Sequence, residues 1–218
     1  MLDAIIYVGF SAFETFCVLY IILAIARLQI KDYLKEMIFG IIVISVSSYL
    51  FKEVGVLNNI TPMLNLILIL LILVFVFKIS LKHSMIVVVI GYIIALIIQG
   101  IILYTPIVLS SVTFKEIKGN DITRYTFQTI SAITIFLIGL QLKRKNIGFV
   151  FVPYAPSLKF KLTKNNLNIL YLLGATLIIT GSILEIGKMY IGIFLLIVLF
   201  NFALFMGLRR ERGDIKFD

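Results

Sequence analysis

The chain has 218 residues, is 61% hydrophobic and only 14% charged, and carries a formal charge of +9, with a mean hydropathy of +1.11. A soluble domain averages roughly 45–50% apolar and about 25% charged residues, so a water-soluble core is excluded and lipid is the expected solvent. One cysteine, Cys17, and one histidine, His83, exclude an intrachain disulfide and the several N or S ligands of a zinc site.

In lipid every backbone polar group must be paired within the chain, which leaves helices or a closed barrel. Long unbroken apolar runs such as Asn65 to Phe77 lack the alternation of a barrel strand. The expected fold class is therefore all-α, a polytopic integral membrane helix bundle in residues 1–208 with a short basic tail over 209–218. The N-terminus begins Met-Leu-Asp without a basic region, so its first apolar run is expected to remain as a span and not to be cleaved as a signal peptide.

A spanning helix needs about 20 mostly apolar residues, and seven segments qualify or come close. In chain order they are Ala4–Ala26, Met37–Phe51, Pro62–Phe77, Ser84–Ser110, Tyr125–Gln141, Leu167–Leu184 and Met189–Leu208. The second and third are short and can extend into their flanks. The fourth is long, roughly 40 Å at about 1.5 Å per residue, and Pro106 is expected to kink or end it, since its ring removes a backbone donor.

The basic residues set the orientation. With the N-terminus outside, fifteen of the twenty Lys and Arg residues fall in the inner loops and the C-terminal tail, and five fall outside. That overall asymmetry follows the positive-inside rule and predicts about seven spans, N-out and C-in. The charge then serves topology and attraction to anionic headgroups, and nucleic acid is not an expected partner.

Between the spans, the inner segment Leu142–Asn166 interleaves aromatics with Lys143, Arg144, Lys145, Lys159 and Lys161. It is expected to lie at the lipid interface, rings toward lipid and ammonium groups toward phosphates, or to dock a cytoplasmic partner. The outer loop Val112–Arg124 carries mixed charge and a Gly119-Asn120 turn, and reads as a solvated loop.

Glu14 is the only acid well inside an expected span. A carboxylate at depth costs a few kcal/mol and faces the bundle interior or a watery cavity. Tyr7, Ser11 and Glu14 lie four and three residues apart, one stripe of a helix. Most other polar residues within the spans, including Ser47, Ser48, Asn65, Gln99, Gln128, Ser131, Thr180 and Ser182, fall in the outer half under this topology. Gln141 and Asn201 are inner exceptions. A hydrated cavity open to the outside is one explanation, with Glu14, Ser11, Tyr7, Gln99, Gln128 and Ser131 as candidate ligand-binding residues. Side chains near helix ends reaching headgroup water is the other. Gly91, Ala95 and Gln99 at intervals of four, and Gly174 and Gly181 seven apart, are expected to let helices approach closely.

No catalytic set assembles. The run from Gly181 to Lys188 has five residues between its glycines where a phosphate loop has four, and Met189 comes next where Ser or Thr belongs. Cys17 lies within the first span and His83 in an inner loop, too far apart for a nucleophile and its base. No cofactor or metal is expected.

The N-out spans, the Ile/Leu/Phe/Lys-rich composition and the basic inner exit Arg209-Arg210-Glu211-Arg212 resemble the membrane sensor region of accessory-gene-regulator-type (GHKL) histidine kinases. They are similar also to stand-alone multi-pass membrane proteins of Gram-positive bacteria. Only ten residues lie beyond Leu208, so the resemblance implies a sensor-like or accessory module of the bacterial cytoplasmic membrane that acts through a partner. The expected function is non-enzymatic binding of an extracellular ligand or a membrane partner. The alternative is a small transporter, or the membrane subunit of a transport system, using Glu14. Expected partners are the lipid bilayer and a membrane or cytoplasmic protein, with homo-oligomers left open.

Overall fold

The computed structural model describes residues 2–53, 60–110, 121–149, 171–179 and 189–214. Among these the chain is helical, without strands. The helices are α1 (Leu2–Ile25), α2 (Leu34–Glu53), α3 (Thr61–Phe75), α4 (Leu81–Ser110), α5 (Asp121–Arg144), α6 (171–179) and α7 (Met189–Asp214), with a 3-10 turn over Ile30–Tyr33 leading into α2. Among the described residues, four stretches are long and apolar enough to cross a membrane: Asp3–Ile25, Ile30–Glu53, Leu81–Ile107 and Asp121–Arg144. Thr61–Phe75 and, within α7, Leu195–Phe205 are apolar but shorter.

Local chemistry sets the boundaries. α3 opens with Pro62 in its first turn, where a missing N–H costs nothing because that donor has no intrahelical partner. α1 and α5 end alike. Arg27 and Asn146 take positive φ, and the next N–H reaches back five residues, from Leu28 to the Leu23 carbonyl and from Ile147 to the Leu142 carbonyl. This is the left-handed closure that satisfies the last carbonyls of a helix. The expected second span extends on both flanks, in keeping with its shortness in the sequence. Pro106 does not end α4: the helix continues through it to Ser110. The fifth helix begins at Asp121, so the end of the expected loop Val112–Arg124 is helix.

α1 is the hub of the bundle, packed against α5, α2 and α4. We call the end at which α1 begins the upper end. Tyr7 meets Tyr49 of α2 near that end, while Leu19 approaches Gly40 lower down, so α1 and α2 are antiparallel. Phe10 stacks on Tyr125 at 4.5 Å and Tyr20 meets Phe136 at 4.8 Å, so α1 and α5 run parallel. α4 runs opposite to α1, with Gln99 level with Glu14 and Gly91 with Ile22.

The two halves of the bundle differ. Every residue from Cys17 to Ala26 is buried, and all but Ala24 pack into one apolar cluster with Leu66, Leu73, Ile86, Ile90, Ile93 and Ile135. Small residues make this approach possible. A Cβ on Gly139 would lie 2.9 Å from Tyr20 Cδ1 and 3.3 Å from Ile21 Cα, and one on Gly91 would strike Ile22. Gly91 thus packs as its spacing predicts. A Cβ on Gly174 meets nothing within 4 Å among the described residues, and Gly181 lies outside them.

The outer surface is apolar. On α2, Ile38, Ile42, Val46 and Leu50 recur every fourth residue and are 43–57% exposed. A continuous exposed stripe of this kind is unfavourable in water.

Candidate functional site

The upper half of the bundle is built around Glu14. The i, i+4, i+7 stripe of α1 turns Tyr7, Ser11 and Glu14 toward α2, α4 and α5. Gln99 of α4 and Gln128 of α5 approach from two sides. The Gln99 Nε2 donates to Glu14 Oε1 and the Gln128 Nε2 to Oε2, so each carboxylate oxygen receives one amide hydrogen. Hydrogen bonds to an ionised group stabilise by about 1.5–3 kcal/mol each, enough for the pair to offset much of the expense of a carboxylate at this depth. Ser131, one turn below Gln128, donates to the Gln128 carbonyl at 2.8 Å.

Glu14 stands between two cavities. The larger, about 340 Å³, is lined by Tyr7, Glu14, Lys52, Gln99, Leu103, Arg124, Phe127, Gln128 and Ser131. The smaller, about 70 Å³, lies on the other side of the carboxylate among Ser11, Thr15, Ile44, Asn65, Tyr92 and their neighbours. Below both, the buried Cys17–Ala26 stretch of α1 closes the bundle. Glu14 is the single acidic residue among those lining either cavity.

The positive charges sit at the upper rim. Lys52 Nζ lies 4.5 Å above the Tyr7 ring. Arg124 Cζ lies 4.7 Å from the Tyr125 ring. Its Nη2 is 2.9 Å from Asp121 Oδ1, but the angle does not make a hydrogen bond, and this buried nitrogen has no hydrogen-bond partner among the described residues. Neither cation forms an ion pair with Glu14.

All six residues proposed from the sequence therefore line these cavities: Tyr7, Glu14, Gln99, Gln128 and Ser131 the larger, Ser11 with Glu14 and Gln99 the smaller. Ser48 and Asn65 satisfy each other, the Ser48 hydroxyl donating to Asn65 Oδ1 at 3.0 Å. Asn201 is exposed and donates to the Ile197 carbonyl, and Gln141 is exposed at the lower end. Thr180 and Ser182 lie outside the described residues.

Sequence reasoning misses Lys52, Arg124 and Tyr92. The two cations read as loop residues, and nothing in their spacing ties Lys52 to Tyr7. The Asp121/Arg124 pair, three apart, is the available sign that a helix starts there. Tyr92 donates to the Pro62 carbonyl at 2.6 Å, a contact no local pattern announces.

At the lower end Lys143, Arg144 and Lys145 are exposed, with Lys143 Nζ 5.8 Å from the Tyr20 ring. Lys159 and Lys161 lie outside the described residues. The chain remains tied to α1 beyond this cluster: the Phe149 N–H donates to the Ile25 carbonyl at 2.8 Å. A Cβ on Gly148 would strike that carbonyl and come within 3.0 Å of the Ala24 carbonyl. His83 hydrogen-bonds Ser80 through Nδ1 at the start of α4, while Cys17 is buried in α1.

No family model, no curated protein and no solved structure matches this chain.

Proposed function

We propose that this chain is a non-enzymatic multi-pass protein of the bacterial cytoplasmic membrane, with seven spans and its N-terminus outside, that binds a small ligand from the outer side at Glu14. In that orientation the upper end is the outer one, and occupancy is relayed along α1 to the inner segment that starts near Leu142. The observation that carries the reading is a carboxylate held by two glutamines from different helices and opening onto a 340 Å³ cavity, a volume within the range of small-molecule sites. A group used only to tie helices together needs no cavity. The exposed apolar stripe of α2 and the asymmetric basic residues support the membrane and the orientation.

α1 is suited to the relay because it carries Glu14 at one end and receives the Phe149 bond at the other. Binding shifts such an element only through differential affinity for its two arrangements. Gly148→Ala is expected to displace this junction, since the obstructing atoms are backbone carbonyls that cannot rotate away. Overpacking of this kind costs about 1–3 kcal/mol. A lower melting temperature in detergent, with trypsin cleavage enhanced near Lys143–Lys145, is the expected result, and unchanged melting and cleavage would count against the junction.

Orientation is checked with single cysteines in a Cys17→Ala background, which leaves no other thiol. Asp3→Cys is expected to label with an impermeant maleimide from outside intact cells, and Lys145→Cys only after lysis. The reverse pattern would invert the assignment of the cavity.

Function is tested by crosslinking native membranes, purifying the tagged chain and identifying the co-purified proteins by mass spectrometry. A kinase or other signalling protein supports the relay reading. An ATPase or second permease subunit overturns it in favour of transport. That second reading has its own observation, Glu14 facing a cavity on each side, and it predicts that Glu14→Gln abolishes coupled flux.

A further inference from the structure

The charges around the larger cavity are separated, and that separation specifies a ligand. At the floor, Glu14 accepts one hydrogen bond on each oxygen and has no cation beside it among the described residues. A carboxylate has about four lone-pair sites, so roughly half its accepting capacity is unused. Gln99 and Gln128 each give one of their two Nε2 hydrogens to Glu14, and their own Oε1 atoms accept no hydrogen bond among the described residues. The floor therefore holds more unused acceptor sites, on Glu14 and the two Oε1 atoms, than the one N–H left on each glutamine can fill. It suits a group that brings several N–H bonds and a positive charge.

The rim is the opposite. Lys52 rests on the Tyr7 ring with no carboxylate partner among the described residues, and Arg124 Nη2 has an unspent donor. Arg124 already faces the Asp121 carboxylate, but a simple cation at Glu14 would leave Lys52 and the Arg124 Nη2 hydrogens unanswered, and a simple anion at the rim would leave the floor unanswered. One molecule with both charges answers each.

We infer that the cavity takes a zwitterion, with a primary ammonium on Glu14, Gln99 and Gln128 and an anionic carboxylate or phosphate at Lys52 and Arg124. This rests on the proposed ligand cavity and names its ligand class. The spacing limits the molecule further. Tyr7, under Lys52, lies seven residues above Glu14, a rise of about 10 Å. Removing a hydrogen bond of about 3 Å at each end leaves roughly 4–5 Å between the ligand's charged atoms. The single carbon between the charges of an α-amino acid is too short, whereas three or four linking atoms fit. A free ω-amino acid, a free aminoalkyl phosphate and an ethanolamine phospholipid headgroup share this chemistry.

The test uses the full chain in nanodiscs of phosphatidylcholine and phosphatidylglycerol, titrated calorimetrically with O-phosphoethanolamine, 4-aminobutyrate and glycine. Saturable binding of at least one longer zwitterion is expected, with glycine at least about tenfold weaker, as the loss of one charged contact implies. Lys52→Glu, which leaves the Glu14 floor intact, is expected to weaken binding at least about tenfold by reversing the rim charge. Nanodiscs containing phosphatidylethanolamine distinguish the sources. If the lipid is the occupant, the soluble zwitterions no longer bind there and the lipid co-purifies with the chain; if the ligand is free, their affinity is unchanged. Either source supports the ligand class.

Absence of zwitterion binding with no retained ethanolamine lipid overturns the inference, as does glycine binding equally well or Lys52→Glu changing nothing. Outside labelling of Leu103→Cys, a cavity wall position, separates the two levels. Labelling without zwitterion binding removes only the ligand class. No labelling removes the outward cavity itself.

Discussion

Glu14→Leu is expected to destabilise the protein more than the triple replacement Glu14→Leu, Gln99→Leu, Gln128→Leu, by about 2 kcal/mol or more. Removing only the acceptor leaves two amides that have lost their partner, each worth roughly 1–3 kcal/mol when no replacement is found. Removing all three polar groups leaves none behind and can be nearly neutral. The sign of the difference is the informative quantity, since both variants also lose the expense of inserting the carboxylate. It is read from unfolding of the purified chain in mixed micelles. A single variant as stable as the triple one would mean that water in the cavity satisfies the glutamines, and that Glu14 does not organise the bundle. The glutamines come from α4 and α5, so the single variant is also expected to loosen the contact of both helices with the upper half of α1.

Gly139→Val carries the second large effect, exerted from below the site. A Cβ there would lie 2.9 Å from Tyr20 Cδ1 and 3.3 Å from the backbone Cα of Ile21. The tyrosine ring can turn, but the α1 backbone cannot, so α5 must move outward. Overpacking of this kind costs about 1–3 kcal/mol. Because α5 also carries Gln128, the variant should weaken ligand binding without touching the cavity. Gly9→Ala and Gly174→Ala are the matched controls, since a Cβ at either glycine meets nothing within 4 Å among the described residues. Both are expected to be neutral or to stabilise by about 0.5–1 kcal/mol, the helix preference for Ala over Gly. Thermal melts of the three variants decide it, and a Gly139→Val melt equal to the controls would contradict close packing of α1 and α5.

Helical periodicity made one wall of the site legible in the sequence. Tyr7, Ser11 and Glu14 had to share a face of α1 whatever surrounded it. Gln99 and Gln128 were reachable through a second constraint, their common depth in the bilayer once the spans were ordered by charge. Which side chains would meet Glu14 was not legible, because helix rotation and packing set that across 85 and 114 residues of chain. Lys52 and Arg124 were hidden for a related reason. A charged residue at the end of an apolar run reads as loop, yet α2 reaches Glu53 and α5 starts at Asp121, which brings both cations to the rim. Pro106 does not end its helix, one of the two outcomes expected of it. Its ring forbids one hydrogen bond, but the helix continues through it to Ser110.

The lower end was legible only as charge. Lys143, Arg144 and Lys145 marked the end of a helix, whereas the fastening of Gly148 and Phe149 to the last carbonyls of α1 depends on the parallel run of α1 and α5. On the proposed function, that fastening is the route from a ligand at Glu14 to the opposite end of the bundle.

The central claim is that the Glu14 cavity opens to the outside of the membrane and is closed from within. The most direct measurement is the reaction of Leu103→Cys, in the Cys17→Ala background, with an impermeant cationic thiosulfonate in right-side-out and inside-out vesicles. Rapid modification from the outer side alone, slower in Lys52→Arg than in Lys52→Glu because the rim charge acts on the reagent, is the predicted result. Modification from the inner side alone, or from neither, would contradict it.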